Sequence, residues 1–263
     1  LLSGSFSDCE HEGCSNKQLH DGNQAIDIVT VAFNNTHVLK HQIELVKQNI
    51  TDRSVYHTVA DNSTREDKAI EIRQLCLDNG LGYIRLPKNK WLDKRSGSYS
   101  HGAALNWIYY NYINKRKPDI FGFLDHDIYP LQKLNFAEKI GEQGFYGYRR
   151  VKNERYWYIW PGLAFFKYEY LKNINVNFAP CMVDKLYLDT GSSLFPVFYK
   201  YFNTRALNFA SFERLPLSAI GYENESEVEF IDGKTWFHSA NASYWREVNK
   251  YEDIIDDIIQ HNK

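Results

Sequence analysis

Four times in the first half of the chain an apolar, β-branched run stops at a polar turn. Between the first three, and again before the fourth, the apolar spacing changes to that of a helix. Ile26-Asp-Ile-Val-Thr-Val-Ala-Phe33 ends at Asn34-Asn35. A helix from Thr36, read as its cap, to about Asn49 carries Val38, Leu39, Ile43, Leu45 and Val46. Ser54–Ala60 ends at Asp61-Asn62-Ser63, and a helix from about Arg65 stops at Asn79-Gly80. Tyr83–Leu86 is a third strand. Ser96–Gly102 reads as a loop feeding a helix over Ala103–Asn114, and Ile120–Leu124 is the fourth strand. Such alternation predicts a mostly parallel sheet with helices on both faces. Sheets of this kind bind ligands beyond the carboxyl ends of their strands, so Asn34, Asp61, the Ser98–His101 stretch and Asp125 are expected to meet there.

The fourth strand ends in Asp125-His126-Asp127. Residues i and i+2 of a strand project the same way, so the two carboxylates point together. Close carboxylates repel unless a cation lies between them, and oxygen ligands suit Mg²⁺ or Mn²⁺. An Asp-rich turn completed by Tyr129-Pro130 is the plain structural alternative.

A formal charge of −2 over 263 residues gives no basic excess for a nucleic-acid partner. Four cysteines are too sparse for a disulfide framework. Cys9 and Cys14, flanking His11, read as a local disulfide or two thiols, Cys76 reads as core, and Cys181 says little. No run approaches the ~20 apolar residues of a membrane span, and no secretory leader is evident. A cytoplasmic chain, or one associated with a membrane, is the expected setting. Residues 1–24 read as a polar tail or arm, and 25–263 as one domain with halves 25–131 and 132–263.

The second half is less regular. Phe145–Tyr148 and Ile159–Lys167 read as strands, Lys185–Leu188 as a strand before Asp189, and Ser193–Asn203 as a helix despite Pro196. Trp236-Phe-His238-Ser precedes a terminal helix with Ile254, Ile255, Ile258 and Ile259.

Taken in order, these residues resemble the nucleotide-sugar glycosyltransferases of the GT-A fold. Val29-Thr-Val-Ala32-Phe33-Asn34 is similar to the strand and turn that cradle the nucleoside. Val59-Ala-Asp61-Asn62 is similar to the strand end whose Asp holds base or ribose. Ser100-His101-Gly-Ala-Ala-Leu-Asn106 resembles the helix start ahead of an Asp-x-Asp strand, and Asp125-His126-Asp127 stands where that motif belongs. Pro161-Gly162-Leu-Ala-Phe-Phe166 resembles the strand after it. The match is good over residues 26–131 and patchy beyond about 168.

The resemblance implies a Rossmann-like three-layer α/β sandwich. It implies a nucleotide diphosphate donor, a UDP-sugar by preference, and transfer to a hydroxyl of a saccharide or glycoconjugate. Mn²⁺ or Mg²⁺ would be held by Asp125 and Asp127, with His238 at the position of a late metal-binding histidine. Ala32, Phe33, Asn34, Asp61, Asn62, Ser98, Ser100, His101, Asn106, Asp125 and His126 are the expected nucleotide side. Helix-start N–H groups suit phosphates. If the anomeric centre inverts, a carboxylate must accept the acceptor's proton. Asp189 is the candidate, with Asp184 and Glu213 competing. Trp160, Gly162 and Thr190, with Trp157 and Tyr158, are the expected sugar side. A sugar-phosphate nucleotidyltransferase and a non-catalytic binding protein are the alternatives. The first should carry a Gly-rich basic loop after its first strand, and Phe33-Asn34-Asn35-Thr36 is not one.

Overall fold

The computed structural model describes residues 24–91, 96–153, 155–221, 227–239 and 248–261. In chain order come β1 (Ala25–Ala32), α1 (Thr36–Asn49), β2 (Ser54–Asp61), α2 (Glu66–Asp78), β3 (Gly82–Arg85) and α3 (Gly97–Ile108). A π-helical turn (Tyr109–Ile113) and α4 (Asn114–Arg116) lead into β4 (Ile120–Asp125). There follow β5 (Ile128–Pro130), α5 (Phe136–Ile140), β6 (Phe145–Lys152), β7 (Tyr156–Lys167) and α6 (Tyr168–Leu171). The remainder is β8 (Cys181–Val183), β9 (Leu186–Leu188), β10 (Phe212–Pro216), β11 (Glu227–Ile231), β12 (Trp236–His238) and α7 (Val248–His261).

The main sheet has the order β3-β2-β1-β4-β7-β6. Strands β3, β2, β1 and β4 are parallel, and β7 runs against both its neighbours. Alternation along β1 sorts the core into layers. Val29 and Val31 pack with Leu105 and Ile108 of α3. Ile26 and Ile28 pack on the other face with Val46 of α1, and Ala32 packs with Leu39 and Ile43. Each wholly buried aliphatic side chain contributes about 1.5–3 kcal/mol. The expected mixed α/β sandwich with a mostly parallel sheet is the observed fold.

On the α3 face of β1, Asp27 is 1% exposed and receives Arg116 Nε at 2.5 Å and Nη2 at 3.1 Å. Burial pushes the Asp27 carboxyl up, and Arg116 offsets part of that. Arg116→Met should therefore lower stability by about 3–5 kcal/mol, as expected when a buried pair loses one partner. A urea melt with an unchanged midpoint would refute this.

A second, antiparallel sheet, β10-β11-β12-β5, was not anticipated from the sequence. Its β5 edge follows directly on Asp125-His126-Asp127, so the two sheets meet at the paired aspartates. One face carries Val228, Phe230, Phe237 and Tyr129, covered by Ile255, Ile258 and Ile259 of α7. The other looks toward the main sheet, where Phe212 stacks on Tyr148 at 4.3 Å.

Three local expectations change. Ser96–Gly102 is not a loop: α3 begins at Gly97, so Ser98, Ser100 and His101 stand in its first turns. Ser193–Asn203 is not one helix but two 3₁₀ turns, Ser192–Leu194 and Tyr199–Tyr201. Pro196 lacks the N–H that a continuous helix needs. The cap of α1 is Asn35 rather than Thr36, its side chain accepting from the N–H groups of His37 and Val38. Cys76 is buried and free, as expected, and Cys181 is also free. Cys9, His11 and Cys14 lie outside the described residues. Among the described residues no helix is long and apolar enough to cross a membrane.

Candidate functional site

The carboxyl ends of β1, β2 and β4 meet as the topology requires, and a hydrogen-bonded frame fixes them. Phe33 N–H donates to His126 Nδ1 at 2.9 Å, tying the end of β1 to the Asp-x-Asp turn. Asn34 has φ +52°, a left-handed conformation that asparagine tolerates. Its N–H donates to Ser63 Oγ, and its Oδ1 accepts from the N–H groups of Thr64 and Arg65. The first two strand-end turns are thus one unit. Gln42 of α1 braces the third by donating to the carbonyls of Asp125 (2.6 Å) and Ile128 (2.8 Å). Thr30 Oγ1 in turn donates to Gln42 Oε1.

Asp61 is fully buried and its carboxylate is occupied. It accepts from Tyr83 Oη (2.9 Å) and Ser63 N–H (2.8 Å), and pairs with Arg85 at 3.0 Å. Asn62 donates to Ser100 Oγ at 3.2 Å, and Asn89 reaches the same hydroxyl at 3.3 Å. Asn106 is a brace: its Oδ1 accepts from Phe178 N–H and its Nδ2 donates to Asn177. Ser98 offers its carbonyl to Thr190 Oγ1 at 2.9 Å, joining the start of α3 to the segment after β9.

Two histidines stand against the paired aspartates. His101 Nε2 lies 3.2 Å from Asp125 Oδ1 but off hydrogen-bond geometry, so this buried nitrogen has no hydrogen-bond partner. His238 Nε2 lies 3.5 Å from Asp127 Oδ1, and its Nδ1 is 2.6 Å from Glu229 Oε2. Glu229 also receives Arg214, whose Nε approaches Oε1 at 3.1 Å. Cross-strand register explains the row. Arg214 pairs with Glu229 across β10–β11, Glu229 with His238 across β11–β12, and His238 with Ile128 of β5. Directly opposed residues share a face of the sheet.

Charge alternates along this row, from Asp127 through His238 and Glu229 to Arg214. Burial alone drives the His238 imidazole down, yet the carboxylates of Asp127 and Glu229 outweigh it and raise it well above its ordinary value. Burial likewise pushes Asp127 up, and the imidazolium of His238 more than offsets it, so the carboxyl ends below its usual range. Glu229 is lowered too: burial raises it, and His238 and Arg214 prevail.

Trp160 connects this cluster to Asp189. Its ring is 5.0 Å from that of His238, and the Arg150 guanidinium lies 5.0 Å over it. Arg150 Nη1 donates to Asp189 Oδ2 at 2.9 Å, and Thr190 N–H donates to Asp189 Oδ1 at 2.7 Å. Asp189 is 30% exposed. Asp184 pairs instead with Tyr156 and Arg155 beside the β8–β9 hairpin and is 63% exposed. Glu213 lies exposed on the edge strand β10. Trp157 packs in the main core against Phe145 and Tyr199. Tyr158 is buried, and its hydroxyl accepts the Asp189 N–H.

Gly162 is where Trp160 needs space, since an added Cβ would lie 2.2 Å from the indole. Gly162→Ala should displace Trp160 from His238 and Arg150 and cost about 1–3 kcal/mol, the usual penalty of overpacking. Thermal unfolding with intrinsic fluorescence checks this, and an unchanged melt and spectrum would refute it.

The strand ends hold two carboxylate–imidazole pairs, Asp125 with His101 and Asp127 with His238. Asp127 stands in the turn after β4 rather than on the strand face expected, and the four ligand atoms are not drawn around one point. Carboxylate oxygens are the donor type that suits Mg²⁺ or Mn²⁺, and the neutral form of His238 would add a nitrogen. Sequence reasoning missed Glu229 and Arg214. The signal for them was weak: alternation in Phe212–Pro216 and Glu227–Ile231, each with charges on a half-buried strand.

No protein-family model matches the chain, and no curated protein does. Solved structures that match part of the chain include a mannosyltransferase from Pyrobaculum calidifontis in complex with GDP-Man and Mn²⁺. It is 14% identical with a TM-score of 0.43, over 57% of this chain and 46% of that one. Another is S. aureus TarS 1-349 in complex with UDP-GlcNAc, 14% identical, TM-score 0.37, over 57% and 47%. A cytidylyltransferase from Leptospira borgpetersenii matches at 15% identity and TM-score 0.32, over 56% and 61%. The matched region spans under half the length of the mannosyltransferase and of TarS.

Proposed function

We propose that this chain is a metal-dependent glycosyltransferase of the GT-A kind. It would move a sugar from a nucleotide diphosphate donor, a UDP-sugar by preference, to a hydroxyl of a saccharide or glycoconjugate. One observation supports the reading: the end of β4 and the turn after it carry Asp125 beside His101 of α3 and Asp127 beside His238 of β12. Asp125, Asp127 and His238 would hold the cation, which when bound stabilises the departing diphosphate as a Lewis acid.

The other roles belong to the chain itself. The first turn of α3 presents backbone N–H groups to the phosphates, with His101 beside them. The turn Ala32-Phe33-Asn34, with Asn62, borders the nucleoside. Asp61 is enclosed, so it serves by fixing Arg85 and the Ser63 turn. Trp160 and Thr190 border the sugar and acceptor. Asp189, partly exposed and oriented by Arg150 and Thr190, would take the acceptor's proton in an inverting reaction.

The test is a panel of UDP- and GDP-sugars, with and without Mn²⁺ and simple saccharide acceptors, read as release of nucleoside diphosphate. Mn²⁺-dependent release stimulated by an acceptor is expected. Pyrophosphate release from a nucleoside triphosphate and a sugar phosphate would instead identify a nucleotidyltransferase. No release from any donor would contradict the enzymatic reading.

A further inference from the structure

Away from the strand ends, α1 and α7 bring together a second group of ligating side chains. His37 and His41 are four residues apart on α1 and so share a face. Asp256 of α7 meets them both: its Oδ1 lies 3.1 Å from His37 Nε2 and 2.8 Å from His41 Nε2. The two rings meet edge-on, with centroids 4.8 Å apart. Among the described residues this is the one group of three metal-capable side chains whose ligand atoms all lie within 4.8 Å of one another.

We propose that His37, His41 and Asp256 form a second metal site, for a borderline transition cation such as Zn²⁺, which fastens α7 onto α1. Two imidazole nitrogens and one carboxylate oxygen with a fourth position open is a zinc donor set, and imidazole disfavours Mg²⁺ and Ca²⁺. Arms of about 2.0–2.1 Å at tetrahedral angles place neighbouring ligand atoms about 3.3 Å apart. Both observed N···O separations need to open by no more than about 0.5 Å to meet that value, and the two imidazole nitrogens, within 4.8 Å of each other, reach it by rotation of the two rings. All three residues are half-buried, so an ion reaches them from solvent.

The site also has a structural purpose. Helix α7 docks through Ile255, Ile258 and Ile259 against Val38 and Leu45 of α1 and against Tyr129 and Phe237. Asp256 stands beside that apolar stripe, so a cation there adds a bond to an interface the fold already makes. Helix α1 starts directly after the Asn34 turn, so the clamp also steadies one wall of the strand-end site. It shares no residue with that site.

Zn²⁺ is titrated calorimetrically into the full chain carrying Asp127→Ala, which disables the strand-end site, with thermal melts alongside. Adding His41→Ala should remove one Zn²⁺ from the stoichiometry. It should also abolish a Zn²⁺-induced rise in melting temperature of about 5 °C or more at saturation. Asp256→Asn, which leaves the apolar docking of α7 in place, should weaken the same ion's binding and covers the case in which His41→Ala does not fold. The same number of ions and the same thermal shift in all three proteins would overturn the site.

Discussion

Asp127→Ala should abolish metal-dependent donor binding while the protein stays folded. The main-chain role of Asp127 survives the change, because its carbonyl accepts from Ser239 N–H at 3.0 Å and from Ser239 Oγ at 3.3 Å. The residue is 6% exposed and its side chain faces His238, so the substitution removes the proposed ligand without opening the core. Turnover should fall by about 100- to 1,000-fold, the scale seen when an electrostatic stabiliser of the transition state is removed. His238 loses the carboxylate that raises it most and keeps Glu229, so the melting temperature should drop as well, as when a buried pair loses one partner. Nucleotide binding with and without Mn²⁺, together with a thermal melt, separates the two effects. A folded variant with unchanged donor affinity would defeat the metal assignment.

Glu229→Gln should act differently. Glu229 is 2% exposed and orients His238 through Nδ1, as a carboxylate behind a metal-binding histidine does. Losing such a partner typically costs about 10–100-fold in metal affinity. The Mn²⁺ concentration for half-maximal activity should rise by that factor, with turnover at saturating Mn²⁺ close to that of the unaltered protein. Stability should fall as well, by about 3–5 kcal/mol, because Arg214 and His238 lose the charge between them. A loss of turnover that saturating Mn²⁺ does not restore would show that Glu229 acts on the substrate rather than through His238.

The half over residues 26–131 was legible because each strand announces its own end. Ile26–Phe33, Ser54–Ala60 and Ile120–Leu124 are apolar runs cut by Asn34, Asp61 and Asp125, and parallel topology gathers those ends without further information. The stretch around Gly102 misled for a physical reason. Ser and Gly suggest a loop, yet Gly102 is small because α3 presses on another segment: a Cβ there would lie 2.8 Å from Ala179 Cα. Packing, not chain reversal, requires the glycine.

The region after β9 failed differently. Phe198, Tyr199 and Phe202 surround Phe145 with centroids 5.0–5.5 Å away. That aromatic cluster is satisfied by short 3₁₀ turns, whereas their spacing in sequence imitates a helix. The row Arg214–Glu229–His238 was invisible because it exists only in cross-strand register. Nothing along the chain relates residues 214, 229 and 238 until β10, β11 and β12 pair.

The most direct measurement is calorimetric titration of UDP, then GDP, into the intact chain with and without Mn²⁺, repeated with Asp125→Ala and Asp127→Ala. Binding of one nucleotide that requires Mn²⁺ and disappears in both variants is the predicted result. Binding that ignores the metal, or that survives loss of both carboxylates, would contradict the proposed site.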